Sequence, residues 1–198
     1  MVVPAEPCSA AGLFDPLAEV GGRSILSHTI QRAHESGASM VIVATECLDI
    51  ARHVPQHGAM AVMVNGCVND LERVAAAVTQ LVDAKVIMAS VITVSLPANE
   101  PLFPGCHIKQ LVGDFDKRAA DMATVAVQHV SDAQAADPGI VKTVTDKYGR
   151  ALYFSRSSIP CMAGHQPNMP RSPAATGFAR CRFSPAAPKL CGSTAHGA

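Results

Sequence analysis

This chain of 198 residues contains many side chains that could act in catalysis or metal binding. Their spacing along the sequence matches no known catalytic or metal-binding motif. The eight histidines are scattered, with neither a His-Glu-x-x-His pattern nor a Cys/His finger spacing, so a zinc site is not indicated. A Gly-x-Ser-x-Gly elbow, a G-x-x-x-x-G-K-S/T phosphate loop and a G-x-G-x-x-G turn are also absent. Any chemistry therefore depends on side chains that the fold brings together.

Short apolar runs rich in β-branched residues alternate with helical patterns over the first 160 residues. The runs typical of strands are 40–45, 60–64, 90–96, 122–127 and 140–145, with Val2 and Val3 as the stub of an earlier strand. This alternation predicts an α/β fold with a doubly wound, mostly parallel sheet. Because ligands of such sheets bind beyond the carboxyl ends of the strands, we expect chemistry in the loops after Val3, Val64 and Leu96.

Three helices are predicted from capping residues and apolar spacing. Ser24 can cap a helix that stops at Gly37. Asn69 can cap a second helix, whose apolar residues recur every three or four positions as far as Leu81. Pro104 suits the first turn of a third helix.

Composition excludes several classes of protein. Lys+Arg and Asp+Glu are 16 each, which argues against a nucleic-acid binder, and 48% hydrophobic residues exclude a wholly disordered chain. No apolar run approaches the roughly 18 residues of a membrane helix, and no secretory signal is visible. Seven cysteines without a Cys-x-x-Cys pair indicate reduced thiols, so we expect a cytoplasmic protein that contacts neither nucleic acid nor membrane.

The composition changes abruptly after residue 160. Residues 161–198 contain no Asp, Glu, Val or Ile, and carry four basic residues among eight Ala, five Pro and four Gly. Such a segment buries too little surface to offset its ordering entropy. We therefore predict an α/β domain over 1–160 and a low-complexity, disordered tail over 161–198, with a basic arm that touches phosphates as the alternative.

One string is more specific than these patterns, and it resembles a known family. Residues 148–160, YGRALYFSRSSIP, contain a close version of the string A-L-Y-F-S-R-x-x-I-P of the 3-deoxy-manno-octulosonate (Kdo) cytidylyltransferases, or CMP-Kdo synthetases. Four further blocks resemble that family in the same order: Pro4-Ala5, Asn99-Glu100-Pro101, Met122-Ala123-Thr124, and Asp137-Pro138 with Val141-Lys142. The recognisable blocks cover about residues 2–160.

The resemblance implies a Rossmann-like nucleotidyltransferase domain and a cytoplasmic enzyme of lipopolysaccharide biosynthesis. The family joins CTP and Kdo into CMP-Kdo and pyrophosphate, requires Mg²⁺, and is usually a homodimer. By position in its motifs, the resemblance assigns three groups of residues in this chain. They are Pro4, Ala5, Ser9, Glu72 and Arg73 at the nucleotide, Glu100, Ser155 and Arg156 at the sugar, and Asn99 at the metal.

The chain departs from the family where charge matters most. Three basic positions of the family's first loop are Glu6, Ala11 and Asp15 here, so the local charge changes from +3 to −2. A pair of unit charges about 4 Å apart near a protein surface interacts by roughly 4 kcal/mol, so the change opposes triphosphate binding. Asn99 stands where the family has a metal-binding Asp, which removes the charge that attracts Mg²⁺.

Nothing recognisable after Pro160 corresponds to the family's C-terminal part, which carries sugar contacts, dimer contacts and a second metal-binding Asp. Two hypotheses follow. The chain is a cytidylyltransferase that works through an altered site, or it is a degenerate, non-catalytic relative from a frameshifted or truncated product. Glu100 as a substitute metal ligand remains open in the first hypothesis.

Overall fold

The computed structural model describes residues 1–6, 14–116, 121–128, 132–159, 173–175 and 180–182. These residues form two compact units. The first contains the described residues of 1–122 with Arg180–Arg182, and the second the described residues of 123–179.

The elements are given in chain order. The strands are β1 (Val2–Pro4), β2 (Glu19–Val20), β3 (Arg23–Ser24), β4 (Ile42–Thr45), β5 (Met60–Met63), β6 (Ile92–Val94), β7 (Met122–Ala123), β8 (Ala126–Gln128), β9 (Val141–Thr145), β10 (Ala151–Ser155), β11 (Pro173–Ala175) and β12 (Arg180–Arg182). The helices are α1 (Ile25–Glu35), α2 (Leu48–His53), α3 (Asp70–Asp83), α4 (Gly105–Asp116) and α5 (Asp132–Ala136), with a 3-10 helix over Val54–His57.

A parallel sheet forms the centre of the first unit. Strand β4 lies between β1 and β5 and is parallel to both, with Val43 opposite Val3 on one side and Ala61 on the other. On the free side of β1, Ser95 forms a parallel bridge with Val2 just after β6 ends. In chain order, the sheet therefore grows from β1 to β4 and then to β5 on one side. The chain then returns to the other side of β1 at Ser95. The predicted α/β fold with a parallel sheet is confirmed.

Apolar side chains cover both faces of this sheet. On one face, alternate strand residues pack against α3 in a buried cluster: Val2, Ile42, Ala44, Val62, Val64, Val74, Ala77, Val78 and Leu81. Val3 and Val43, which point to the other face, are completely buried as well. Strands with two buried faces explain why their sequences are continuously apolar rather than alternating.

The predicted helix starts are confirmed. Ser24 caps α1, because its Oγ accepts a hydrogen bond from the Ser27 amide at 3.1 Å. The helix ends before Gly37, whose φ of 75° is the left-handed conformation that glycine adopts without strain. Asn69 caps α3 in the same way as Ser24 caps α1, through the Glu72 amide at 2.9 Å. Pro104 directly precedes α4, as its position predicted.

The second unit is an antiparallel sheet with the strand order β10-β9-β11-β8. Strands β9 and β10 form a hairpin, and the Asp146 carboxylate closes its turn by accepting from the amides of Tyr148 and Arg150. Gly149 completes the turn with a φ of 78°. The predicted strand at 140–145 is thus confirmed, and its partner is the hairpin strand that contains the A-L-Y-F-S string.

Two short strands lie within the predicted tail. Strand β11 pairs antiparallel with β8 and β9, and β12 pairs antiparallel with β6. The rest of 161–198 lies outside the described residues, so the boundary at 160 and the disordered tail stay predictions. In the described part of the chain, no helix has the length and apolar character needed to cross a membrane.

The cap of α3 yields a stability prediction. Asn69→Ala removes the acceptor of the Glu72 amide and should lower the free energy of unfolding by about 1 kcal/mol, measured by urea denaturation. The control is Asn65→Ala, which removes an exposed asparagine in the loop before the helix. Equal stabilities of the two variants would contradict the capping role.

Candidate functional site

Charged side chains gather at the carboxyl edge of the parallel sheet. Strand β1 is followed by Ala5, which is buried and donates its amide to the Ala44 carbonyl at 2.9 Å, and then by Glu6. Strand β4 is followed directly by Glu46. Because parallel strands end at the same edge of a sheet, the two glutamates lie at one edge. Both carboxylates lie near Arg73 in the first turn of α3.

Arg73 in that first turn is the centre of the site. Its side chain is 1% exposed, and its Nη1 lies 2.8 Å from Glu6 Oε1 and 3.1 Å from Asp70 Oδ1. Its Nη2 lies 3.7 Å from Glu46 Oε1. We call these four residues the Arg73 cluster. The carboxylates come from the ends of two strands and from α3, and each is about half exposed.

The cluster carries more negative than positive charge. One guanidinium faces three carboxylates, so the sum is −2 when all of them are ionised. Burial raises the pKa of Asp70; the attraction of Arg73 opposes the shift, and the Glu6 carboxylate adds to it. The Nε of Arg73 is buried and has no hydrogen-bond partner among the described residues.

This arrangement limits what Arg73 can bind. A guanidinium recognises phosphate through its paired N–H groups, but Nη1 of Arg73 already contacts two carboxylates. An incoming polyanion would also meet the excess negative charge of Glu6, Glu46 and Asp70. In its described geometry the cluster pairs Nη1 of Arg73 with carboxylates of the chain itself and presents a net negative charge to an incoming anion.

Glu72, which the resemblance assigns to the nucleotide, serves the helix start in this structure. Its Oε2 accepts from the Val68 amide at 2.9 Å and its Oε1 from Asn69 Nδ2 at 3.2 Å. Together with the Asn69 cap, this is a reciprocal arrangement similar to a capping box. A nucleotide contact by Glu72 stays a prediction.

The first loop is described in part. Pro4 ends β1, and Asp15 is exposed, with its Oδ1 accepting from the Leu17 amide at 2.9 Å in a local turn. Ser9 and Ala11 lie outside the described residues. Of the three changed positions in this loop, Glu6 is the one that the structure places in the Arg73 cluster.

The loop after β6 holds the predicted metal position. Thr29 Oγ1 in α1 donates to the Ala98 carbonyl at 2.9 Å and fixes this loop to the helix. Asn99 is exposed. Partial burial raises the pKa of Glu100, and no hydrogen bond or ion pair to its carboxylate occurs among the described residues.

This donor set does not fit Mg²⁺. Asn99 offers a neutral amide oxygen at the position of the family's metal-binding Asp, and Glu100 is the single carboxylate beside it, whereas Mg²⁺ in proteins is held by one or two carboxylates with waters and substrate phosphates. Nowhere in the described ranges do three His, Cys, Asp or Glu side chains form a group that could hold a metal ion.

The sugar-site residues predicted near residue 155 lie in the second unit, where they contact the backbone. Arg156 Nη1 donates to the carbonyls of Pro138 and Gly139 at 3.1 and 3.3 Å. Ser155 Oγ accepts from the Ser157 amide at 3.0 Å. Lys142 is buried and donates its Nζ to the carbonyls of Asp137 and Arg156, which ties the hairpin to the preceding loop. Sugar binding by these residues stays a prediction.

Glu46 is the site residue that the sequence reasoning missed. The signal was available, because Glu46 follows the buried strand β4 directly, and polar residues after buried parallel strands are site candidates. The strand itself was predicted, but the loop after it was not among those selected.

With this geometry, the chain can be compared with known proteins. The cytidylyltransferase family matches residues 15–183, so the chain belongs to that family. The match continues past Pro160, where the recognisable motifs end. Within the family, the chain is 34% identical over 161 residues to the 3-deoxy-manno-octulosonate cytidylyltransferase of Glaesserella parasuis serovar 5 (strain SH0165). The aligned part is 81% of this chain and 62% of that relative.

Solved structures agree with this assignment. A structure of CMP:2-keto-3-deoxy-manno-octonic acid synthetase complexed with CTP matches with a TM-score of 0.77 and 28% identity, over 92% of this chain and 73% of that one. A 4-diphosphocytidyl-2C-methyl-D-erythritol synthase matches with a TM-score of 0.56 at 15% identity, over 90% and 72% of the two chains, and shares the fold.

The raised pKa of Asp70 gives a pH prediction. The folded state holds a proton on Asp70 more readily than the unfolded chain does. Its contribution to stability therefore falls as the pH rises from the ordinary aspartate pKa of about 3.9 through the raised value. Asp70→Asn stays neutral, so its stability relative to the parent should increase over this window and then level off, in urea denaturation at a series of pH values.

The matched control is Asp83→Asn, which removes the same charge at the exposed far end of α3. A pH dependence of equal size in both variants would contradict the assignment to Asp70.

Proposed function

We propose that this chain is a non-catalytic relative of the enzymes that join CTP and Kdo. Its own carboxylates pair with the Arg73 guanidinium, the cation that a bound triphosphate would need. The scaffold supports CTP and Kdo as the substrate classes around which the site is built, because the named relatives act on them or bind them. The charge of the site opposes turnover.

The chemistry of cytidylyl transfer explains why the charge of the site determines whether the chain can be catalytic. A sugar oxygen attacks the α-phosphorus of CTP while pyrophosphate leaves in line, so the protein mainly positions the reactants and neutralises negative charge. Mg²⁺ would supply part of that neutralisation, but Asn99 lacks the charge of the family's metal-binding Asp. The remaining neutralisation has to come from cationic side chains near the ends of the strands.

The observation that carries the proposal is the 2.8 Å contact between Glu6 and Arg73. Glu6 stands at a position that is basic in the family's first loop. The substitution therefore removes one positive side chain, and the new carboxylate pairs with a second one, Arg73. Asp15 is a second position of that loop where an acidic residue replaces a basic one. Binding a triphosphate here would require breaking the ion pair and bringing four or so negative charges against an acidic edge.

The second candidate is an active cytidylyltransferase that makes CMP-Kdo. It is supported by the 34% identity to a Kdo cytidylyltransferase and by the conserved order of the motifs. It requires Glu6 to leave Arg73 when CTP binds. Since the chain spans 62% of the length of that curated relative, the activity of a whole protein of this kind is itself part of the proposal.

Nucleotide binding separates the two candidates. Titration of CTP with Mg²⁺ into the chain should give no heat at millimolar nucleotide, and pyrophosphate release with CTP, Kdo and Mg²⁺ should stay at background. The variant Glu6→Arg/Ala11→Arg/Asp15→Lys restores the family's charges and should bind CTP at least tenfold more tightly than the parent, since each restored contact is worth more than about 1.4 kcal/mol.

The control has the same change in net charge at exposed positions away from the cluster: Glu19→Arg/Asp83→Lys/Ala84→Arg. It should not bind CTP. Micromolar CTP binding or pyrophosphate release by the parent chain would establish the active enzyme instead, and CTP binding by the control would show that net charge alone is responsible.

A further inference from the structure

A pair of histidines outside the Arg73 cluster faces one another. His53 is the last residue of α2, and His57 is the last residue of the 3-10 helix that follows. Their Nε2 atoms are 3.0 Å apart, and their rings are 4.6 Å apart between centroids with an interplanar angle of 48°. Both side chains are half-buried.

The surroundings hold this pair in place. Ser24 is buried, and its Oγ lies 2.7 Å from His53 Nε2 while it also accepts the amide of Ser27 as the cap of α1. Ile50 and Val54, on the same two helical segments, are buried in the core. The backbone between the two histidines is therefore fixed before any ligand arrives, which lowers the entropic cost of binding one.

The distance between the two nitrogens is suited to one metal ion. Two nitrogens at about 2.0–2.1 Å from an ion and 3.0 Å from each other subtend roughly 94° at that ion. Tetrahedral coordination would need a separation of about 3.3 Å, whereas neighbouring positions of a square-planar or octahedral ion need the smaller angle found here. Imidazole nitrogens at such angles are typical of Ni²⁺ and Cu²⁺.

We propose that His53 and His57 form a bidentate site for Ni²⁺ or Cu²⁺, with water in the remaining positions. The hydrogen that two neutral rings share between their Nε2 atoms moves to Nδ1 of the ring that carries it, so both Nε2 lone pairs bind the ion and no proton is released. The Ser24 hydroxyl then donates to a metal-bound water. This site is independent of the Arg73 cluster and of the proposed function.

The charge near the site opposes the ion and offers a test. Arg23 directly precedes Ser24, whose hydroxyl contacts His53, and its guanidinium interacts electrostatically with the His57 ring. Arg23 is exposed and donates its Nη1 to Gln31 Oε1 at 2.7 Å. Its positive charge repels a divalent cation, so Arg23→Gln should tighten metal binding, an effect that a purely structural role of the histidines would not produce.

The experiment is calorimetric titration of NiCl₂ into the full chain at neutral pH, with a thiol-free reductant. We expect at least a tenfold loss of affinity at this site in His53→Asn and in His57→Asn. Arg23→Gln should bind about two- to fivefold more tightly. His107→Asn, at an exposed histidine of α4, is the matched control and should bind like the parent.

Far-UV circular dichroism of the metal-free variants shows whether each is folded. His57→Asn leaves the Ser24 contact untouched, so it tests the site even if His53→Asn is unstable. Unchanged Ni²⁺ affinity in a folded His57→Asn variant would overturn the proposal. An equal loss in His107→Asn would also overturn it, because binding would then be spread over surface histidines.

Discussion

A guanidinium that is almost fully removed from water needs counter-charges, because the desolvation of an unpaired ion costs several kcal/mol. Arg73 meets this need with Glu6, Glu46 and Asp70, which are delivered by the end of β1, the end of β4 and the first turn of α3. The cluster depends on parallel strands in register and on α3 beginning directly after its cap Asn69. The local elements and the ion network therefore depend on each other.

This constraint is also the physical basis of the proposed loss of catalysis. A nucleotidyltransferase needs positive groups that neutralise the phosphates of its substrate. Here Glu6, at a position that is basic in the family by the resemblance described above, contacts Arg73 from within the chain. In the proposed function, the contact that stabilises this buried arginine also keeps it from a phosphate. The core cluster on α3 contains none of the four residues of the Arg73 cluster.

Sequence patterns predicted the elements well and the contacts poorly. The strands around Val43 and Ala61 followed from continuous apolar runs, and Ser24 and Asn69 marked helix starts, because these are local properties. The pairing of Arg73 with Glu6 joins residues 67 positions apart and depends on strand order, which no local pattern contains. Glu72 shows a second limit, since an acidic residue in a first helical turn has the same pattern whether it caps the helix or contacts a ligand.

The histidine pair shows a third limit. His53 and His57 have the spacing of neighbours on a helix, but Pro55 between them obscures a helical interpretation. In the structure, α2 ends at His53 and a 3-10 helix follows it directly. Pro55 lies near the start of this 3-10 helix, where a missing amide hydrogen is tolerated.

The most direct measurement of the central claim is the coupling between Glu6 and Arg73. A double-mutant cycle with Glu6→Gln and Arg73→Met, followed by urea denaturation, gives this energy without any ligand. The account predicts a favourable coupling of about 1–2 kcal/mol, as expected for a charged hydrogen bond with one buried partner. A coupling within about 0.3 kcal/mol of zero would contradict it, because Glu6 would then not hold Arg73.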